Sequence, residues 1–218
     1  MPYKIKETSF VAIVIPTLNM RDDIIKCLGS IRNLDYPKKN IEVIIWDNGS
    51  TDGTQTEVNK IFKEMEEDGC KRLKIIQSDE NLGVYTSRDE LFKRVNVHTD
   101  YVLSIDDDVF LPRDCLTVLM KILQDYSDAG VIGPRTVYDM KPDETAHGAG
   151  FVNLWLGKFS DVDVNRSIEC DYIIGCCMLI KKQVVLDLKG FDRDYYTSHG
   201  EVDFCLRAKK KGYKIFYD

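Results

Sequence analysis

Three consecutive carboxylates, Asp106-Asp107-Asp108, follow directly on the apolar run Tyr101-Val102-Leu103-Ser104-Ile105. Like charges this close repel, so leaving them unpaired costs stability and raises at least one pKa. A hard divalent cation removes that cost, and oxygen ligands at this spacing suit Mg²⁺ or Mn²⁺ with phosphate oxygens completing the shell. The competing reading is an acidic turn at a helix start, but a cap uses one carboxylate rather than three. Equivalent positions after the other apolar runs are polar too: Thr17 and Asn19 after residues 11–15, Asp47 after residues 41–46, and Gln77-Ser78-Asp79 after residues 73–76. Loop polarity explains one or two such ends. All four together favour a site, because ligands of open α/β sheets sit beyond the carboxyl ends of the strands. At Asp47 a carboxylate could accept a hydrogen bond from a base ring N–H or a ribose hydroxyl, with a turn-forming Asp as an equal competitor.

The elements that must position these residues alternate. Val11-Ala12-Ile13-Val14-Ile15 is continuously apolar, as a strand covered on both faces should be. Ile24, Leu28 and Ile31 then share a helical face, a second strand covers residues 41–46, and Thr54 with Glu57 has the form of a capping box opening the next helix. A third strand at 73–76, a helix over 84–95, a fourth strand at 101–105 and a helix with Pro112 in its first turn complete four β-then-α units. Such a series predicts a parallel sheet with right-handed crossovers. The second half is less regular: strands are expected at 131–133, 172–174 and 178–180, divided by a Gly/Asp-rich stretch at 139–163, with a helix over 201–211 and a closing strand at 213–216. No repeat or linker separates two domains. Residues 1–218 are read as one α/β domain, with a regular half over 1–110 and a less regular half over 111–218.

Composition narrows the function classes. The 218 residues carry 30 basic and 36 acidic side chains, a net charge of -6. No cationic surplus exists for contacts along a nucleic-acid backbone, so no nucleic-acid partner is expected. No apolar run reaches the ~20 residues that span a bilayer, and residues 1–7 lack the apolar core of a secretory signal. The seven cysteines show no C-x-x-C pair, and His98, His147 and His199 are dispersed. Reduced, mostly buried thiols and a cytoplasmic setting follow. Strand one is followed by Pro16-Thr17-Leu18-Asn19-Met20-Arg21, neither G-x-G-x-x-G nor G-x-x-x-x-G-K, which excludes dinucleotide-binding Rossmann and P-loop proteins.

Near the C-terminus, Gly190-Phe191-Asp192 precedes His199-Gly200-Glu201-Val202-Asp203. On local sequence, Ser198 and Glu201 read as a capping box, and Asp203 with Arg207 as an i,i+4 ion pair.

Taken together, Val11 to Asn19, Val43 to Thr54 with its Asp-Asn-Gly-Ser-Thr-Asp-Gly-Thr string, Asn81-Leu82-Gly83 through Arg88, Asp106-Asp107-Asp108, Gly175 and Gly190-Phe191-Asp192 resemble glycosyltransferase family 2 over nearly the whole chain. The resemblance implies the GT-A fold and an inverting, metal-assisted transfer from a nucleoside-diphosphate sugar to a carbohydrate or lipid-linked acceptor. It implies nucleotide contacts from Thr17, Asn19, Asp47, Arg88, Asp106 and Asp107, a Mn²⁺ or Mg²⁺ ion on Asp108 and Asp106, and Glu201 as catalytic base. The family's usual Glu-Asp-x-Asp reads Gly200-Glu201-Val202-Asp203 here, so the first acid is lost. Acceptor-side candidates are His147, Trp155, Gly175 and Asp192. Association with the inner face of a membrane stays open, because relatives that act on lipid-linked glycans carry their anchors outside the catalytic core. The chain ends on a strand where such relatives continue, so a shortened chain or a compact member is expected. A catalytically silent nucleotide-sugar-binding module and a sugar-phosphate nucleotidyltransferase are the alternatives, the second lacking its Gly-rich basic loop after strand one.

Overall fold

In the computed structural model, residues 9–153 and 155–218 are described; the signal-sequence reading of residues 1–7 lies outside them. The elements run β1 (Val11–Thr17), α1 (Arg21–Arg32), β2 (Ile41–Asp47), α2 (Thr54–Glu67), β3 (Arg72–Gln77), α3 (Val84–Phe92), β4 (Tyr101–Ile105), α4 (Cys115–Asp125) and β5 (Ala129–Gly133). Two short ribbons follow, β6 (Thr136–Tyr138) with β7 (Lys141–His147) and β8 (Ala149–Asn153) with β9 (Lys158–Val162). The chain closes with β10 (Ile168–Cys170), β11 (Cys177–Lys181), α5 (Lys182–Leu188), α6 (Gly200–Lys210) and β12 (Lys214–Tyr217).

Eight strands form one largely parallel sheet in the order β10-β12-β5-β11-β4-β1-β2-β3. From β1 the chain steps outward through β2 and β3, then returns to place β4 on the other side of β1. That reversal opens a crevice beyond the carboxyl ends of β1 and β4, where Thr17 and the Asp106–Asp108 run emerge. The continuous apolar strands are explained by their cover. Ile13, Ile15, Val43 and Leu103 belong to the core on the side of α1, α2 and α4, while Val14, Ile44 and Val102 belong to the core containing residues of α3, α5 and α6. Both faces are therefore dry, as a parallel sheet requires.

Several local expectations need correction. Gly53, in the left-handed region at φ 91°, precedes α2, and no side chain of Thr54 caps it. Asp52 does so instead, its Oδ1 accepting from the Thr54 amide at 3.0 Å and hydroxyl at 2.6 Å, while Glu57 pairs with Lys60. Helix α3 ends at Phe92 rather than at 95, because Glu42 captures the Asn96 amide at 2.9 Å and draws the chain off the helix axis. Helix α4 begins at Cys115, with Pro112 in the turn before it, its carbonyl accepting from the Cys115 amide at 3.0 Å. Residues 172–174 form no strand: Tyr172 makes one isolated bridge to Gly150, and the chain turns at Gly175, whose carbonyl is bound by Arg88 at 2.8 Å. The Gly/Asp-rich stretch, expected to be irregular, contains β7, β8 and β9, three of the four strands of the two ribbons. All seven cysteines are free thiols, and Cys27, Cys115 and Cys205 are buried on their helices. Among the described residues, no helix is long and apolar enough to cross a membrane.

Candidate active site

The crevice at the switch point has a volume of about 540 Å³, within the range of small-molecule sites. Its walls include Thr17 from β1, Asn48 after β2, Tyr85 and Arg88 from α3, Asp106, Asp107 and Asp108 after β4, the turn at residues 174–176, and Glu201 from α6. A second cavity of about 590 Å³ continues from it, sharing Asp108, His147 and Cys176 and lined further on by Phe110, Leu111, Val118, Val137 and Tyr138.

The acidic run is built around one buried cation. Arg88 is 1% exposed, and its Nη2 donates to the Asp106 carboxylate and to the Gly175 carbonyl. Glycine at 175 makes this approach possible, since a Cβ there would stand 3.0 Å from Arg88 Nη1 and 3.4 Å from Glu201 Cβ. Burial pushes the Asp106 carboxyl up from its ordinary value, and the Arg88 charge opposes it. Burial together with the two neighbouring carboxylates pushes Asp107 up to about 6. Among the described residues, neither Asp107 nor Asp108 has a cationic partner, and no three acidic, thiol or imidazole groups form a ready-made metal cage. Two carboxylates without a cationic partner beside this crevice fit a Mg²⁺- or Mn²⁺-type ion, which binds through one or two carboxylates and keeps other positions for phosphate and water.

Glu201 sits in the first turn of α6 and is 7% exposed. It does not cap its helix. His199 precedes α6 in the left-handed region at φ 66°, no side chain caps the start, and the Glu201 carboxylate accepts a hydrogen bond from the Tyr85 hydroxyl. The Asp203–Arg207 pair forms at 2.7 Å. Thus α6 delivers one acid to the crevice and uses the other on its own surface.

The remaining candidates stand further back. Asp47 is fully buried, accepting from the Ser50 amide at 2.8 Å through Oδ1, while Oδ2 has no protein partner. Asn19, at φ 54°, accepts from the Thr51 amide at 2.8 Å. Neither lines the crevice, and both hold the turn after β2. His147 lines both cavities, with Nδ1 3.6 Å from Asp161. Trp155 is 98% exposed outside either lining, and Asp192 accepts from the Asp194 amide at 3.0 Å in its own turn.

Three residues that sequence reasoning missed complete the site. Asn48, which follows Asp47 in the Asp-Asn-Gly-Ser string, accepts from the Leu82 amide at 3.0 Å and the Ser87 hydroxyl at 2.9 Å, tying the end of β2 to the start of α3. Tyr85 and Ser87 are the other two, and their place beside Arg88 on the inward side of a core helix was the available signal.

Residues 12–188 match the family model described as Glycosyl transferase family 2. The chain is 26% identical over 95% of its length to the glycosyltransferase AglE of Haloferax volcanii, covering 64% of that protein. It is 32% identical, over 95% of its length and 64% of the relative's, to a dolichyl N-acetyl-alpha-D-glucosaminyl phosphate 3-beta-D-2,3-diacetamido-2,3-dideoxy-beta-D-glucuronosyltransferase of Methanococcus voltae. The chain thus spans just under two thirds of the length of these relatives. Its fold is similar to that of a Pyrobaculum calidifontis mannosyltransferase solved with GDP-Man and Mn²⁺ (TM-score 0.72, 19% identity, 99% of this chain and 58% of that one). It is also similar to S. aureus TarS 1-349 in complex with UDP-GlcNAc (TM-score 0.68, 18% identity, 96% and 58%).

Proposed function

Since the chain belongs to glycosyl transferase family 2, we propose that it moves a sugar from a nucleoside-diphosphate sugar to an acceptor hydroxyl by a single inverting displacement, in glycan or polysaccharide synthesis. The observation that carries this reading is the convergence of Arg88, the Asp106–Asp108 run and the buried Glu201 on one crevice at the sheet's switch point. Structural relatives bearing GDP-Man with Mn²⁺ and UDP-GlcNAc support the donor class.

Thr17 meets the nucleotide directly, and Asn19 with Asp47 acts one step back by holding the turn at Ser50 and Thr51. Arg88 fixes Asp106 against the Gly175 carbonyl, so that Asp107 and Asp108 are the carboxylates left to hold a divalent ion. Such an ion, when bound, would supply positive charge for the departing diphosphate. Glu201 takes the acceptor's proton as its oxygen attacks the anomeric carbon on the face opposite the leaving group. No covalent enzyme intermediate is required. The acceptor, a carbohydrate or a lipid-linked glycan, enters along the cavity shared through His147 and Cys176, whose further walls combine Phe110, Leu111 and Val118 with Asp114, Arg135 and Asp139.

The test is release of nucleoside diphosphate from UDP-GlcNAc and GDP-mannose with Mn²⁺. Glu201→Gln is expected to lower turnover about 10²–10⁴-fold while nucleotide affinity is kept; undiminished turnover would remove Glu201 as the base. Asp108→Ala is expected to abolish the metal-dependent part of nucleotide affinity, and an unchanged dependence would place the ion elsewhere.

A further inference from the structure

Tyr85 and Gly200 are far apart in sequence and meet in the fold as one feature. Tyr85 lies in the first turn of α3 and is 3% exposed, and its hydroxyl donates to Glu201 Oε2. Gly200 is the residue immediately before Glu201. A Cβ at 200 would stand 2.7 to 2.8 Å from three atoms of the Tyr85 ring, a distance that only displacement of the ring could relieve. The ring therefore lies on the bare backbone of the start of α6, and any side chain at 200 would push it off. This accounts for the missing acid: its place is taken by an aromatic ring from another helix.

The ring's position is itself over-determined. Phe191 packs against it at 5.3 Å between centroids and also against Phe92 at 5.4 Å and Phe204 at 4.6 Å, so α3, the turn after α5 and α6 close around one aromatic cluster. The Val84 amide donates to the Tyr196 carbonyl at 3.0 Å, holding the start of α3 against the segment that leads into α6. One turn along α3, the Arg88 guanidinium lies 5.7 Å from the Tyr85 ring and binds Asp106. A single helix face thus offers a neutral donor to the carboxylate of α6 and a cation to the carboxylate after β4. Burial, with the neighbouring Glu201 carboxylate, pushes the Tyr85 phenol up from its ordinary value, so it stays a donor at working pH.

We propose that Tyr85 is the positioning residue of the base: by holding Oε2 it fixes the Glu201 carboxylate and leaves Oε1 to receive the acceptor's proton, and Gly200 is the space that lets it do so. The inference rests on the reading of Glu201 as the base. A buried carboxylate without this donor would sample several rotamers, and misplacing a reacting group by about 1 Å costs up to 10²-fold in rate.

Tyr85→Phe keeps the ring and removes only the hydroxyl, so the aromatic cluster survives. Two measurements are made on the full chain. In protein labelled with ¹³C at the glutamate carboxyl carbon, the Glu201 resonance is assigned by its loss in Glu201→Gln. It is expected to shift or broaden in Tyr85→Phe, and an unmoved resonance overturns the proposal. With UDP-GlcNAc or GDP-mannose, whichever the native chain turns over with Mn²⁺, kcat is expected to fall about 10- to 100-fold with donor KM unchanged and the thermal midpoint still well above the assay temperature. A kcat within twofold of native, or a fall in midpoint and a rise in KM that account for the loss, overturns it as well. Should Glu201→Gln turn over normally, the base reading fails on its own, and the carboxyl resonance still decides whether Tyr85 holds that side chain.

Discussion

Arg88 shows how one residue sets the character of the acidic run. The sequence offers three equivalent carboxylates; the fold distinguishes them by giving one a permanent partner. Because Arg88 is buried and reaches both Asp106 and the Gly175 carbonyl, it neutralises the first aspartate and props the turn opposite. Both bonds come from Nη2, which the rigid planar guanidinium holds between the two acceptors, whereas the ammonium of lysine sits on a flexible stem and is not pre-organised there. Arg88→Met leaves Asp106 without its cation, and a fully buried broken pair costs about 3–5 kcal/mol. Asp106's side chain is 37% exposed, so water recovers part of this and a loss of about 2 kcal/mol is expected in urea unfolding. Arg88→Lys should recover less than half of it. Full recovery by lysine would mean that charge alone, and not the two-acceptor geometry, matters here.

At the scale of elements, α3 is the strut of the site. Its inner face carries Tyr85 and Arg88, and its outer face is fastened to the segment before α6. Glu90 accepts from Arg94 at 2.6 Å, Lys93 at 3.0 Å and Arg193 at 2.6 Å, while Asp89 takes Arg193 Nε at 2.8 Å. Hydrogen bonding to Arg94, then to Lys93 and Arg193, holds Glu90 down to about 2. A carboxyl lowered in the folded state adds stability that is fully present above its unfolded value of about 4.3 and is lost as pH falls toward the folded value. Glu90→Gln is therefore expected to lower the thermal midpoint at pH 7 by about 2–4 °C, corresponding to about 1 kcal/mol. The gap should narrow steadily as pH drops from 4.5 to 3; a gap that does not depend on pH would show that packing, not charge, is responsible.

The elements also show what the chain announces about itself. Strands β1, β2 and β4 are legible because sheets covered on both faces need largely apolar runs, the edge strand β3 shows only a shorter one, and the acids after β4 are legible because they interrupt such a run. The ribbons are not, because Lys141–His147 and Lys158–Val162 are mostly exposed and nothing selects a period-2 pattern. Helix α5, seven residues directly after β11, is too short to show a helical period. Glu201 was visible as an acid near a helix start, but its partner was not, since Tyr85 lies 116 positions away and the clue was the absence of a side chain at Gly200.

For the whole molecule, the sheet order has a thermodynamic consequence. Strand β11 from the second half pairs with β4 from the first, with Leu103 opposite Leu179, and is bonded on its other edge to β5. Neither half can lose its strands without exposing the core of the other, so the two should unfold in one transition despite the different character of their sequences. A ligand that binds only the folded crevice must then raise the midpoint of the entire chain. Metal-free protein carries Asp107 and Asp108 without cationic partners among the described residues, and a nucleoside diphosphate would add further negative charge to them. UDP or GDP alone, in chelator, should shift the midpoint little. With Mn²⁺ at about a hundred times the dissociation constant, stabilisation should reach about 2.7 kcal/mol, or roughly 5–10 °C for a chain of this size. The same additions should leave Asp108→Ala near its unliganded midpoint. Two resolved transitions, only one of which responds to nucleotide, would contradict the coupling that the sheet order implies, and an equal shift in chelator would contradict the role given to the acidic run.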